Sequence, residues 1–332
     1  MKNRFLFSAV VLLATLVLFA GPIQAKTLKI SHVRPQGTAI DNDLRWFSDT
    51  LKETSGGKIK TKIYPASALG DYTIVQERVG LGALDMACQP PASAADKRFQ
   101  LVYFPYMVKD WAQAKKNYSQ GAPLRKTVAE LYAEQNIHLL AAWPVYFGGI
   151  AFNTEVKGYG DPDLAKGIKL RVPPMKTFQL LADTTGYLGT PIPFSDAFTA
   201  VQTGVVDGVI GSGAEGYYSS FRDVTKYYLP SNTHFEVWYL IISKKQFDKL
   251  SPEAQGQLQD VANQFEERRW SVAESDQAAN EKRLAEYGAE ILKISPAQIA
   301  ATAKKVQTVV WPQILSDVGE EWGQGVLDSI VE

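Results

Sequence analysis

The sequence predicts an α/β protein, because segments with strand periodicity alternate with segments of helical periodicity. Residues 27–33 and 58–64 alternate apolar and polar side chains, and residues 42–54 between them carry apolar residues at helical spacing. A second set of strands and helices follows between residues 138 and 236. Strands that alternate with helices favour largely parallel sheets, since parallel strands need a long crossover connection.

The individual elements follow from the same periodicities. In the first set, residues 72–81 are expected to form a helix and residues 85–88 a short buried strand. The second set is expected to contain strands at residues 138–143, 149–153, 170–172 and 205–210, an extended segment at 191–194, and helices at 177–185 and 195–203. Ser195 is expected to cap the last of these helices, and Asp196 to complement the dipole of its first turn.

A long helix is predicted from residue 251 onwards. Ser251 is a typical N-cap, Pro252 suits the first helical position, and no further proline occurs before Pro296. The apolar face extends to about Tyr287, so roughly 35 residues at ~1.5 Å rise would form a rod about 50 Å long. Such a rod is longer than one small domain and is expected to span two lobes. A capping box that starts at Ser295 predicts one more helix.

The first 25 residues have the pattern of a cleaved signal peptide. Lys2 and Arg4 precede an apolar run at residues 5–20, and Ala25 is a small residue suited to cleavage. The run is short for a membrane span, so an uncleaved anchor is the weaker alternative. We therefore expect a periplasmic protein whose mature chain starts at residue 26.

Composition excludes several classes of function. The chain has 35 basic and 35 acidic side chains, so loss of the two basic residues in the signal peptide leaves a net charge of about −2, which does not attract nucleic acid. The single cysteine, Cys88, cannot form an internal disulfide and is expected in the core. His32, His138 and His234 are far apart in sequence, which gives no support for a metal site.

A glycine-rich turn at residues 211–216 fits the G-x-G-x-x-G spacing of dinucleotide-binding proteins. It follows a predicted strand, and Glu236 lies at about the distance of the ribose-binding acid in that motif. The turn lies deep in the chain, however, and an exported enzyme would have to carry its cofactor through the membrane. A flexible turn between domains or beside a ligand is the preferred interpretation, and no cofactor is expected.

Arg171 is the first candidate for ligand binding. Residues 167–172 alternate as a short strand that ends at Pro173, because proline has no N–H to give to the ladder. Arg171 is therefore held at a strand end, where its planar fork of donors suits a carboxylate. Two interpretations remain open, since the guanidinium can bind an acidic ligand or pair with an Asp or Glu of the protein itself.

Aromatic residues concentrate around the second set of elements. Most are expected in the core, and a few could line an apolar pocket in which Arg171 is the polar anchor. The candidates are Trp143, Tyr146, Phe147, Phe194, Tyr217 and Trp238.

Several motifs occur in a recognisable order along the chain. The two longest are GIKLRVP at residues 167–173 and GTPIPFSDAFTAVQTGVVDG at residues 189–208. Shorter ones lie at residues 31–32, 56–58, 64–65, 69–71 and 82–85. With these motifs, from about residue 27 to 290, the chain resembles the DctP-type substrate-binding proteins of TRAP (tripartite ATP-independent periplasmic) transporters.

The resemblance implies a two-lobed periplasmic-binding-protein fold with a hinge, in which the lobes close on a ligand and a long helix braces both. It implies delivery of an organic acid to TRAP membrane permease subunits and no catalysis. We expect a monomer. The predicted division is lobe I at residues 26–148 plus about 237–270, lobe II at 149–236 plus about 271–305, and a C-terminal helical segment at 306–332.

The resemblance also assigns roles to residues. Arg171 matches the family arginine that clamps the carboxylate of the ligand, and Phe194 matches a position that packs on the ligand. The remaining candidates lie on loops that face the cleft, or beside the glycine-rich turn: His32, Arg34, Tyr72, Gln89, Pro90, Gly211 and Glu215.

This chain departs from the family pattern at informative places. A second arginine that many acid-binding members place between Tyr146 and Ile150 is missing, and Gly148 is its nearest equivalent. Tyr72 and Pro90 occupy places that are polar in members that bind hydroxylated sugar acids. We therefore expect a monocarboxylate with an apolar or aromatic body, because each unpaired polar group of a ligand in a closed cleft costs ~1–3 kcal/mol.

Alternatives remain at the level of function. The same fold could bind a small dicarboxylate, a keto acid or a sulfonate, or serve as a ligand sensor for a membrane receptor. A secreted dinucleotide-dependent oxidoreductase is the alternative from a different class.

Overall fold

The computed structural model describes residues 26–330, so the predicted signal peptide at residues 1–25 lies outside the described residues. The strands are β1 (Lys26–Ser31), β2 (Ile59–Tyr64), β3 (Met86–Gln89), β4 (Ile137–Phe147), β5 (Gly149–Phe152), β6 (Lys169–Val172), β7 (Leu188–Pro191), β8 (Gly208–Ser212), β9 (Tyr227–Leu229), β10 (Phe235–Ser243) and β11 (Glu290–Ile291). The helices are α1 (Ala39–Thr54), α2 (Tyr72–Gly80), α3 (Trp111–Tyr118), α4 (Pro123–Glu134), α5 (Lys176–Thr184), α6 (Phe194–Gln202), α7 (Ala214–Gly216), α8 (Lys244–Phe247), α9 (Pro252–Tyr287), α10 (Pro296–Val309), α11 (Trp311–Val318) and α12 (Glu320–Asp328).

The strands form two sheets, each the centre of one lobe. The first sheet has the order β2-β1-β3-β10-β4, and the second has the order β11-β9-β5-β8-β6-β7. The predicted two-lobed α/β fold is therefore confirmed. The expectation of largely parallel sheets is only partly right, since β10 runs antiparallel to β3 and β4, and β5 runs antiparallel to β8 and β9.

The antiparallel strands are those that carry the chain from one lobe to the other. β4 in the first sheet is separated from β5 in the second by Gly148 alone, and the chain returns between β9 and β10. The two connections are hydrogen-bonded to each other, with Gly148 N donating to His234 O at 2.8 Å and Thr233 N donating to Gly148 O at 2.9 Å. A side chain at residue 148 would not fit, because its Cβ would lie 2.1 Å from His234 Cε1.

The predicted long helix is present as α9, with 36 residues. It begins as the capping pattern predicts, with Ser251 Oγ accepting from Ala254 N, and it ends at Gly288 in the left-handed conformation. Its first half packs on the first sheet, where Glu266 Oε2 accepts from Ala142 N at 2.6 Å. Near its end, Leu284 joins the apolar cluster of the second lobe.

The start of α6 differs from the sequence prediction. The helix begins at Phe194, its N-cap is Pro193, and no side chain of its own caps it, so the assignment of Ser195 as the cap is wrong. Instead, Asp71 of the first lobe accepts from Ser195 N through Oδ2 at 3.2 Å while its Oδ1 caps α2. A carboxylate favours a helix N-terminus, so this contact draws the two lobes together. Within residues 26–330, none of the helices combines the length and apolar character needed to cross a bilayer.

Candidate ligand-binding site

A cavity lies between the two lobes, beside the carboxyl ends of β1, β6 and β8. The cavity has a volume of about 30 Å³, so the lobes are closed around a narrow space. The first lobe contributes Val33, Arg34, Tyr72, Pro90, Pro91, Tyr103, Tyr146, Glu236 and Trp238. The second contributes Arg171, Pro173, Met175, Phe178, Phe194, Gly211 and Ser212.

Arg171 projects into this cavity from the end of β6, and it is 1% exposed. Its Nε donates to Ile192 O at 2.8 Å. Neither of its terminal nitrogens has a hydrogen-bond partner among residues 26–330, and the guanidinium forms no ion pair with a carboxylate of the described chain. Burial lowers the pKa of Arg171 from its usual value. The sequence left two interpretations of Arg171 open. The structure does not support the one in which Arg171 pairs with an Asp or Glu of the described chain.

A second guanidinium, that of Arg34, borders the same cavity. Its Nε donates to Glu215 Oε2 at 3.0 Å, and the side chains are 1% and 4% exposed. Desolvation opposes the charge of Arg34, but the adjacent Glu215 carboxylate outweighs it, so the pKa of Arg34 is raised. This ion pair joins the lobes, since Arg34 follows β1 and Glu215 follows β8.

The Phe194 ring lies beside both arginines. The Cζ atom of Arg34 is 4.7 Å from the ring centroid, and that of Arg171 is 5.9 Å from it. The Trp238 ring is also within 5.0 Å of Arg34 Cζ. Contacts of this kind are favourable for a cation with few water neighbours, because the face of an aromatic ring carries negative potential.

Glu236 lines the cavity, although the sequence pointed to it only as the acid of a dinucleotide-binding motif. It is 4% exposed, and its Oε1 accepts from Trp238 Nε1 at 2.6 Å while its Oε2 lies 3.1 Å from His234 Nε2. A signal was available in the sequence, because Glu236 is the one charged residue in the buried strand FEVWYLIIS. A carboxylate in such a strand is rare unless it is paired or functional.

Most of the remaining wall is apolar. Pro90, Pro91, Pro173, Met175 and Phe178 surround the space and leave few groups that could exchange hydrogen bonds with a ligand. The tyrosines are buried, and burial raises the pKa of the Tyr72 and Tyr146 hydroxyls, which therefore stay protonated.

Three aromatic candidates lie outside the cavity. Trp143 donates through Nε1 to Asp43 Oδ2 at 2.8 Å. Its ring stacks on Arg269, with 4.2 Å between the ring centroid and Arg269 Cζ. Phe147 packs against Trp111 and Phe235 in the core. Tyr217 has its hydroxyl 2.8 Å from both Gly149 O and Val209 O. The expectation that these rings face the ligand is not met, because long-range packing turns them into the core.

Three polar candidates lie one layer behind the cavity wall. His32 Nε2 is 3.3 Å from Asp41 Oδ1, and Gln89 Nε2 donates to Tyr72 O at 3.0 Å. Glu215 is paired with Arg34 as described above. These side chains hold the residues that line the cavity and do not line it themselves.

Contacts between the lobes explain the glycine-rich turn. A Cβ at Gly213 would lie 2.5 Å from Tyr146 Cγ, and a Cβ at Gly216 would lie 2.5 Å from Arg34 Nη2. Gly211 has a positive φ of 87° and lines the cavity. The glycines thus allow side chains of the first lobe to approach the backbone of the second, which accounts for the motif without a pyrophosphate.

Two lobes joined by a hinge and closed on a cavity, with a buried arginine that has no carboxylate partner among residues 26–330, are typical of the class of two-lobed solute-binding proteins. The chain matches the family of bacterial extracellular solute-binding proteins, family 7 (DctP), over residues 30–316. It therefore belongs to this family, the solute-binding proteins of TRAP transporters. These are binding proteins and not enzymes, so the oxidoreductase alternative is wrong.

Individual relatives are distant but cover most of the chain. The sialic acid-binding periplasmic protein SiaP of Vibrio cholerae is 29% identical over 236 residues, which is 68% of this chain and 70% of SiaP. The sugar acid binding protein DctPAm of Advenella mimigardefordensis, crystallised in complex with galactonate, has a TM-score of 0.85 at 21% identity, with 92% of this chain and 97% of that chain covered. DctP7 of Bordetella pertussis, a receptor binding pyroglutamic acid, has a TM-score of 0.82 at 21% identity and covers 92% of this chain and 99% of its own.

Proposed function

We propose that this protein is a periplasmic receptor that captures a small organic acid and delivers it, as a monomer, to TRAP membrane permease subunits. The observation that carries the proposal is Arg171, whose two terminal nitrogens border the cavity without a partner among the described residues. A buried charge without a partner is costly, so the site is built for an anion that arrives from solution.

The family supports the same class of ligand. The names of relatives refer to sialic acid, C4-dicarboxylates and galactonate, all of which carry a carboxylate. Arg171 offers two parallel N–H groups, which is the geometry that a carboxylate accepts in bidentate fashion.

The cavity walls support a compact acid with a largely apolar body. Phe194, Trp238 and Phe178 border the space together with three tyrosines, and prolines, Val33 and Met175 add further apolar surface. A polyhydroxylated chain would leave most of its hydroxyl groups without partners there, at ~1–3 kcal/mol each. We therefore propose a monocarboxylate whose body packs on Phe194.

A small dicarboxylate is the second candidate, and one observation favours it. Arg34 Nη2 is buried and has no hydrogen-bond partner among the described residues. A second carboxylate of the ligand could accept from it. Succinate and butyrate distinguish these candidates, because they differ in one carboxylate and have similar length.

Arg171→Ala tests the proposal. The acid that co-purifies with the protein is released, identified by mass spectrometry and titrated back in a thermal-shift assay. A 100-fold excess over Kd stabilises the wild type by about 2.7 kcal/mol. Arg171→Ala is expected to weaken binding at least about 100-fold, because two charge-assisted hydrogen bonds of roughly 1.5–3 kcal/mol each are lost.

Arg268→Ala is the matched control, since Arg268 is exposed on α9 and stacks on Trp46 away from the cavity. It is expected to bind the acid like the wild type. Normal binding by Arg171→Ala would show that the anchor is misassigned.

A further inference from the structure

Glu236 places a carboxylate in the cavity, whose other charged lining residues are the guanidiniums of Arg34 and Arg171. Trp238 Nε1–H is a donor only, so Glu236 Oε1 must act as the acceptor in their 2.6 Å hydrogen bond. The Tyr103 hydroxyl lies 3.3 Å from the same oxygen and 3.0 Å from Val237 O. A hydroxyl has one proton, so Tyr103 donates to one of these oxygens at a time, and Val237 O is the nearer.

The hydrogen-bonding capacity of Glu236 is not filled by the residues that the structure describes. An ionised carboxylate has about four acceptor positions. Trp238 occupies one, and His234 Nε2 and Tyr103 occupy at most one each. At least one position therefore remains open on a side chain that borders the cavity and is 4% exposed.

The other polar groups of the cavity make this open position selective. Two further carboxylates lie near the cavity without lining it: Glu215 is held by Arg34, and Asp71 accepts from Thr73 N and Ser195 N. Arg171 is available for a carboxylate, and Glu236 is available for a donor. Apolar side chains form much of the remaining wall, so Arg171 and Glu236 offer a ligand two groups of opposite hydrogen-bonding character in one narrow space.

We infer that Glu236 is a specificity-determining residue that selects acids with an N–H or O–H donor separate from the carboxylate. This inference rests on the proposed function, because Arg171 must orient the ligand first. An acid without such a donor leaves the open position of Glu236 against an apolar group. Sites that hydrogen-bond a donor of the ligand discriminate strongly against analogues without it.

Matched pairs of acids test the inference by isothermal titration of the wild type. The pairs are pyroglutamate and its lactone analogue, pyrrole carboxylate and furan carboxylate, and para-hydroxybenzoate and para-methoxybenzoate. In each pair the donor is replaced by an oxygen or ether of similar shape. The donor-bearing member of at least one pair is expected to bind about ten-fold or more tightly than its partner.

Glu236→Gln is the diagnostic variant. Trp238 Nε1 still requires an acceptor, so the amide oxygen is expected to face Trp238 and the amide N–H groups to face the open position. The ratio of the two affinities within a pair should then fall, or the lactone, furan or methoxy member should become the tighter ligand. Circular dichroism checks that the variant is folded. If it is not, the affinities of the matched acids for the wild type still test the inference.

The possible failures are distinguishable. Equal affinity within every pair, with binding still lost in Arg171→Ala, would overturn the role of Glu236 and leave the proposed function intact. Binding that is independent of Arg171 would overturn the proposed function. Failure of every donor-bearing acid to bind would also overturn the inference, since it predicts that such acids fit.

Discussion

The Arg34–Glu215 ion pair is expected to stabilise the closed arrangement of the lobes and not the fold of either lobe. The perturbation is Glu215→Gln, which keeps the shape of the side chain and removes its charge. The pair is buried on both sides, with 3.0 Å between Arg34 Nε and Glu215 Oε2. Removal of one partner from a buried pair typically costs ~3–5 kcal/mol, because the other charge stays buried without compensation.

This cost falls on the closed form alone, because the partners come from different lobes and water can reach both when the lobes separate. A loss of ~3–5 kcal/mol in the closed form corresponds to a factor of at least about 100 in the closing equilibrium, at 1.4 kcal/mol per factor of ten. Glu215 does not line the cavity. The substitution is therefore expected to change closure without removing a direct contact with the ligand.

Two measurements on the same samples separate closure from folding. Isothermal titration with the acid released from the purified protein is expected to show affinity at least about 100-fold weaker in Glu215→Gln. Urea unfolding without ligand is expected to change by less than about 1 kcal/mol. Asp248→Asn is the control, because Lys244 and Asp248 form an exposed pair, 53% exposed on each side, whose loss should change neither quantity appreciably.

The opposite pattern would refute the reasoning. If Glu215→Gln lowered the free energy of unfolding by ~3–5 kcal/mol and left affinity unchanged, the pair would persist whether or not ligand is bound. It would then belong to the permanent core of the protein.

Two further predictions concern packing. Gly211→Ala is expected to destabilise the protein by about 1–3 kcal/mol in urea unfolding, because residue 211 has φ +87° and the new Cβ would lie 2.4 Å from Pro173 Cγ. Gly256→Ala, at an exposed position in α9 with no atom within 4 Å of the new Cβ, should instead stabilise it by about 0.5–1 kcal/mol, and equal effects at the two sites would contradict this account. Cys88 is fully buried, and burial raises the pKa of its thiol well above the usual value, so a thiol reagent should label it only after unfolding. Rapid labelling of the native protein would show that the strand carrying Cys88 opens.

Local chemistry explains why so many elements could be predicted. The start of α9 depends on Ser251 and Pro252, and its end depends on Gly288, all of which act within a few residues along the chain. Arg171 was identified in the same way, since the prolines after it end the strand. The cap of α6 was missed because Asp71, which accepts from Ser195 N, is 124 residues away in sequence.

The candidate site was harder to predict because it depends on which face of each strand meets the other lobe. Tyr146 lines the cavity and its neighbour Phe147 packs in the core, in keeping with alternation along a strand. Sequence periodicity shows that two faces exist and does not show which one the second lobe covers. Trp143 was misplaced for this reason, whereas Tyr217 follows α7 and is held in the core by the hydrogen bonds of its hydroxyl to backbone carbonyls of β5 and β8.

The sequence by itself determined the alternation of strands and helices, the long helix, the family motifs and the position of Arg171 at a strand end, because each depends on residues close together in the chain. Only the tertiary structure decided that Arg171 has no carboxylate partner among the described residues, that Arg34 pairs with Glu215, 181 residues away, and that Glu236 faces the cavity. These facts arise where the chain crosses twice between the lobes, and the partners of a buried charge there are set by long-range packing that no local pattern encodes.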